Sequence, residues 1–309
     1  MRWNVLVAVA AGIGSVTVTA TALGAEMLVC GFSSNKVYRY NMSGGLIGTL
    51  DVAGNLSGPL CARMGPDGKI YVVSEGNNRI VRFSASTGAY IDDFVSDAGL
   101  NSPTGITWDG AGNAYVASFN GNKVRKYNSS GGFVSDFVTA GSGSLSGADN
   151  GISFGPDGNL YVPSYNNNRV LKYNGVTGAF ISSFIPSIGR PRTFEWFNGS
   201  FYITTETGNA VQKRSALNGV NQGNFVAAGS GGLQTPIGMA FGGDGFLYVT
   251  SANNRILKYN ATTGAFVGIF ADATTSDLNL PAFITIIPTP GVGCVLLASS
   301  LAMARRRRG

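Results

Sequence analysis

The sequence predicts an all-β protein, a six-bladed β-propeller of four-stranded blades closed by pairing the last strand with the first blade. Three observations predict it. One line recurs, as NNRIVRFSASTGAYIDDF from Asn77, GNKVRKYNSSGGFVSDF from Gly121, NNRVLKYNGVTGAFISSF from Asn167 and NNRILKYNATTGAFVGIF from Asn253. Its asparagine ahead of the basic residue falls at Asn35, Asn78, Asn122, Asn168, Asn209 and Asn254, at steps of 43, 44, 46, 41 and 45 residues, the length of one propeller blade. Finally, the chain is 44% apolar yet holds 45 glycines among 309 residues, so its apolar runs are short and its turns many, against helix.

The elements follow in chain order. Met1 to Gly24 carries Arg2, an apolar stretch from Val5 to Val18, and Ala22 and Gly24 at the −3 and −1 positions of a cut before Ala25. This reads as a signal peptide, residues 1–24, and implies export. Each blade of the body, residues 25–287, then opens on a first strand such as PTGITWD from Pro103. A tight turn follows, as PDGK at Pro66, GAGN at Gly110, PDGN at Pro156, FNGS at Phe197 and GDGF at Gly243. Asp-Gly and Asn-Gly pairs take the positive φ angles that such hairpins need. Asp67, Asp157 and Asp244 are therefore read as turn formers. The second strands, IYVVS, AYVAS, LYVPS, FYITT and LYVTS, are β-branched and aromatic, as suits a strand buried on both faces. An Asn/Gly turn leads to the third strand (NRIVRF, NRVLKY), and a Thr-Gly or Gly-Gly turn to the fourth (AYIDDF, GFVSDF, AFISSF).

The ends show how the ring closes. EMLVCGF at Glu26 reads as a second strand with no first strand before it. LPAFITII, Leu280 to Ile287, reads as a first strand with no blade after it. Pairing Pro281–Ile287 beside Met27–Gly31 completes the first blade and leaves six in all. A lone blade has two apolar faces, and repetition in a closed circle buries them all.

The segment 288–309, PTPGVGCVLLASSLAMARRRRG, has two prolines, fourteen apolar or small residues from Gly291 to Ala304, and four arginines. Fourteen helical residues span about 21 Å, short of the roughly 30 Å hydrocarbon core, and the arginines favour the cytoplasmic side. This tail resembles a PEP-CTERM sorting signal, with Thr289 where that family usually has glutamate. The resemblance implies an exosortase-type membrane enzyme as partner, reading Pro288, Thr289 and Pro290 with Arg305, Arg306, Arg307 and Arg308. It implies transient anchoring in the inner membrane, then sorting to the envelope or extracellular surface.

Composition narrows the chemistry. There is no histidine, which removes imidazole as a general base and the commonest zinc ligand. Setting aside Arg2 and the four terminal arginines leaves 17 basic against 16 acidic residues. Such a near-neutral body argues against a nucleic-acid partner. The basic residues at Lys36, Arg79, Lys123, Arg169 and Arg255 are read as strand-end residues whose stems cover apolar surface.

The blade line, for example GPDGNLYVPSYNNNRVLKY from Gly155, is similar to NHL-repeat propellers and their lyase-like and gluconolactonase-like relatives. The resemblance covers residues 26–287 and is specific for fold rather than function. It places binding on the upper face, where second-to-third-strand turns and blade connections lie. The candidates there are Glu75, Asp149, Asn150, Arg192, Glu195 and Glu206, with Arg190 beside them. Glu75 and Glu206 occupy equivalent turns of blades two and five, and Arg63 and Glu195 equivalent channel positions. In gluconolactonase-like relatives Glu, Asn and Asp hold a divalent metal, for which Glu75, Asn150 and Glu195 are the right oxygen donors. The streptogramin-lyase-like activity is expected to need a histidine and is not carried over. The expectation is thus an exported binding or structural module of the cell envelope or matrix, non-enzymatic and without cofactor, taking an extracellular carbohydrate or protein. The alternative is a metal-dependent, gluconolactonase-like hydrolase or lyase at the channel mouth. Cys30 and Cys61 lie at similar heights on neighbouring blades, and both a disulfide and free thiols remain open.

Overall fold

The computed structural model describes residues 24–50 and 54–288. The expected leader and sorting signal lie outside the described residues except for Gly24 and Pro288. Six antiparallel four-stranded sheets form the blades. Blade 1 holds β1 (Ala25–Gly31), β2 (Lys36–Asn41) and β3 (Leu46–Leu50); blade 2 holds β4 (Pro59–Met64), β5 (Ile70–Ser74), β6 (Arg79–Phe83) and β7 (Tyr90–Ser96). Blade 3 holds β8 (Pro103–Trp108), β9 (Ala114–Ser118), β10 (Lys123–Tyr127) and β11 (Phe133–Val138); blade 4 holds β12 (Ser153–Phe154), β13 (Leu160–Ser164), β14 (Arg169–Tyr173) and β15 (Phe180–Ile185). Blade 5 holds β16 (Pro191–Phe197), β17 (Ser200–Thr205), β18 (Ala210–Ser215) and β19 (Asn221–Val226); blade 6 holds β20 (Met239–Phe241), β21 (Phe246–Ser251), β22 (Arg255–Asn260) and β23 (Phe266–Asp272).

The last strand, β24 (Pro281–Pro288), supplies the missing innermost strand of blade 1. It pairs antiparallel with β1, in a register that sets Ala25 opposite Pro288, Met27 opposite Ile286 and Gly31 opposite Pro281. The ring therefore closes as the sequence predicts, and both chain ends leave it at the lower face, opposite the upper rim.

The second strands β5, β9 and β13 are buried at every residue, because each blade packs against a neighbour on both sides. Aromatic residues seal the blade interfaces. Tyr71 meets Phe94 of its own blade at 5.0 Å between ring centroids and Trp108 of the next blade at 5.1 Å, both edge-on. Tyr161 repeats this against Phe184 at 4.9 Å and Trp196 at 5.0 Å. Edge-to-face pairs of this kind add about 0.5–1.5 kcal/mol to what burial alone contributes. The Tyr71, Tyr161 and Tyr248 hydroxyls donate to Asp67, Asp157 and Asp244, 2.7–3.0 Å away. The same carboxylates accept backbone N–H groups two residues on, so these aspartates close turns and anchor tyrosines.

The repeated asparagine has a larger role than its place in the alignment suggests. Asn35, Asn78, Asn122, Asn168, Asn209 and Asn254 all adopt left-handed backbone, with φ between 47° and 63°. Asparagine enters this region at lower cost than most residues. In each case the side-chain Oδ1 accepts the backbone N–H that begins the next blade: Gly58, Ser102, Gly147, Arg190, Thr235 and Leu280, at 2.7–2.9 Å. One hydrogen bond thus clasps every neighbouring pair of blades, and the contact at Leu280 includes the closure.

Candidate functional site

At the upper rim the short turns and blade connections bring charged side chains together. Arg192, near the start of β16, donates from Nη1 to Asp149 at 2.9 Å and from Nε to Glu206 at 2.8 Å. Glu206 also accepts the Tyr165 hydroxyl at 2.7 Å and Arg190 Nη1 at 3.2 Å. Both guanidinium groups lie over the Tyr165 ring, that of Arg192 at 4.2 Å from its centroid. Asp149 is fully buried, and its other oxygen accepts the Asn150 backbone N–H at 2.7 Å. Burial pushes the Asp149 carboxyl upward, and Arg192 opposes that push. Burial also pushes Glu206 upward, but Arg192, Tyr165 and Arg190 outweigh it and hold this carboxyl below its ordinary value.

Glu75 stands apart from this network. It opens the turn after β5 and is half-buried. Burial, with the Asp149 charge as a second cause, pushes its carboxyl up to about 7 against the pull of Arg192. No hydrogen bond or ion pair reaches the Glu75 carboxylate from among the described residues.

The structure therefore brings Glu75, Asp149, Arg192 and Glu206 together, with Asn150 beneath them. Asn150 is fully buried; its side-chain Oδ1 lies 3.4 Å from the Thr193 hydroxyl and its Nδ2 has no partner among the described residues. Glu195, expected at the same face, is elsewhere. It pairs with Tyr202 three residues further along β16 than Arg192, roughly 10 Å down the strand at 3.3 Å per residue. That separation breaks the expected oxygen set of Glu75, Asn150 and Glu195. The Arg192 guanidinium already supplies positive charge between Asp149 and Glu206, and among the described residues no group of three or more Cys, Asp or Glu is placed to hold a metal ion. These donors do not fit a divalent cation.

Glu195 lines a cavity of about 350 Å³ in the lower half of the channel. Above it the inner strands of neighbouring blades pack backbone to backbone: a Cβ on Gly151 would stand 2.2 Å from the Arg192 carbonyl oxygen, and one on Gly238 2.2 Å from that of Ala282. The cavity contains Arg63 from blade 2, Glu195 and Trp196 from blade 5, Phe241 from blade 6, and Phe283 and Thr285 from β24. Glu195 Oε2 accepts the Phe241 backbone N–H at 3.2 Å. Burial pushes its carboxyl up to about 7, opposed by this hydrogen bond and by Arg63. The Arg63 guanidinium lies over the Phe283 ring at 5.0 Å.

Two further expectations resolve here. Cys30 and Cys61 are fully buried and unbridged, their thiols pushed upward by burial. Of the strand-end basic residues, Arg79 meets Asp93 and Lys123 meets Asp136, each at 3.0 Å. Tyr165 is the rim residue that sequence reasoning missed. Its place, directly after the second strand of blade 4 as Glu75 is in blade 2 and Glu206 in blade 5, is the signal that would have found it.

No protein-family model matches the chain, and no curated protein does. Solved structures share its fold. A chain from a nidogen–laminin complex superposes with a TM-score of 0.69 at 16% identity, over 86% of this chain and 100% of that one. A protein of unknown function from Bacteroides caccae gives 0.66 at 15% identity, over 86% and 99%. A catalytically inactive virginiamycin B lyase from Staphylococcus aureus, with quinupristin, gives 0.56 at 17% identity, over 75% and 76%. At these identities the likeness is one of fold.

Proposed function

We propose that the chain is an exported, surface-sorted binding module of the cell envelope or extracellular matrix, recognising a carbohydrate or protein through its upper rim. One observation carries the reading: Asp149, Arg192, Glu206 and Tyr165 hold one another in place, while the adjoining Glu75 carboxyl is left without a partner among the described residues. A rim fixed before the ligand arrives loses little further freedom on binding. A carboxyl titrating near 7 both donates and accepts hydrogen bonds, which suits hydroxyl-rich or amide ligands. The leader and the proline-flanked, arginine-ended tail support export and sorting. The nidogen–laminin neighbour supports the use of this fold within a protein assembly.

The test is surface protease accessibility of the tagged full chain in its native host, with N-terminal sequencing, and with Arg305 to Arg308 replaced by serine in a second strain. The expected result is a new N-terminus at Ala25, surface exposure of the parent, and retention of the variant at the inner membrane. A full-length chain in the cytoplasmic fraction would overturn the reading. Glu75→Gln tests the rim itself. It should weaken adsorption of the purified protein to host surface polysaccharide or matrix, and unchanged adsorption would remove Glu75 from the interface.

A further inference from the structure

The channel cavity is separate from the rim, and the rim reading makes no use of it. At one level of the inner strands, four of the six residues are the short or apolar Thr107, Ser153, Ala240 and Thr285; the other two are Arg63 and Glu195, on opposite blades. Among the described residues no carboxylate comes within 4.0 Å of Arg63, so these two do not neutralise each other directly. Both side chains are half-buried; partly dehydrating two opposite charges without joining them is costly, and Ala240 shows that the same level accepts an apolar side chain. The charges therefore point to something that lies between them. Trp196, Phe241 and Phe283 add flat apolar surface, and the Thr285 and Ser153 oxygens have lone pairs left beyond the backbone groups they donate to.

We infer that this cavity binds a small hydroxylated monocarboxylate of the size of a uronic acid, its carboxylate on Arg63 and its far hydroxyls on Glu195. The volume of about 350 Å³ lies at the lower end of the range for small-molecule sites, roughly 300–1,000 Å³, which admits one sugar ring rather than a chain. A dicarboxylate or a phosphate monoester would set a second negative charge against Glu195. The aromatic faces suit the C–H face of a sugar ring, and a guanidinium is the donor best shaped for a carboxylate.

The test is isothermal titration of the full chain with D-glucuronate, alongside glucose and 4-aminobutyrate as probes, with Trp fluorescence as a second readout. Saturable binding of glucuronate is expected, with glucose weaker by roughly tenfold or more, the loss of one charge-assisted hydrogen bond. Arg63→Met should weaken glucuronate by a similar factor. Arg63→Lys keeps the charge but loses the fork, and separates a binding defect from a folding defect if Arg63→Met melts early. No saturable binding of glucuronate up to about 10 mM, a range that captures affinities weaker than 1 mM, would overturn the inference. So would an Arg63→Lys variant that melts like the parent and binds glucuronate as tightly, or tighter binding of 4-aminobutyrate, which would make the site one for an amino acid.

Discussion

Replacing Glu195 by glutamine should stabilise the protein above neutral pH and leave it unchanged in acid. The carboxyl is displaced from 4.5 to about 7 by burial in the channel. Arg63 and the Phe241 N–H face it and favour the ionised form, but do not offset the burial. Between these two values the folded protein holds a proton that the unfolded chain has released. Stability therefore falls as pH rises through this window, and the full penalty applies above 7. At about 1.4 kcal/mol per unit, the displacement of 4.5 to about 7 amounts to an upper bound of about 3.5 kcal/mol. Glutamine never ionises, and its carbonyl can still accept the Phe241 N–H. Urea midpoints of parent and Glu195→Gln at intervals from pH 5 to pH 8 give the test. The Glu75 carboxyl, also raised to about 7, tilts both curves alike and cancels in their difference. A difference that stays constant with pH, or a variant less stable than the parent at pH 8, would refute the reasoning.

The remaining predictions concern the ring and the rim. Deleting Ala282 to Ile287 removes the innermost strand of blade 1 and should abolish cooperative unfolding when parent and deletion are compared by calorimetry; a melt as sharp as the parent's would contradict the closure. Asn122→Ala loses the clasp to Gly147 and forces alanine into left-handed backbone, for a cost of about 2–3 kcal/mol. Asn122→Gly restores the backbone freedom, so its chemical-denaturation midpoint should fall between alanine and parent. Arg192→Met leaves the fully buried Asp149 without its counter-charge and should cost about 3–5 kcal/mol. Pairing it with Asp149→Asn should recover much of that loss in the same melts.

The sequence displays most of this fold because a blade is a local object. Its strand lengths, Asp-Gly turns and period all lie within some 45 contiguous residues, and even closure can be inferred from Pro281–Ile287 having no blade of its own to join. What the letters hide is the partner across space. Asn122 recurs with its period, yet nothing in the line says that its Oδ1 meets the Gly147 N–H in the next blade. The rim was legible in part. Glu75 and Glu206 share a turn position, and Asp149 and Arg192 share the entry to an inner strand. Glu195 differs from Arg192 by only three positions, but on an extended strand that distance carries it out of the rim and into the channel. Its electrostatic state is set by burial, by the Phe241 N–H of the next blade and by Arg63 of the opposite one, partners that no spacing rule encodes.

The antiparallel register of Ala25 with Pro288 has a consequence for how the molecule stands on a cell. Both ends emerge side by side from one end of the wheel, like the two wires of a lamp. A tail that holds residue 289 onward in a bilayer would therefore plant the ring with its hub opening toward the lipid and its Glu75 crown toward the surroundings. Cutting such a tail would free the underside as well as the protein.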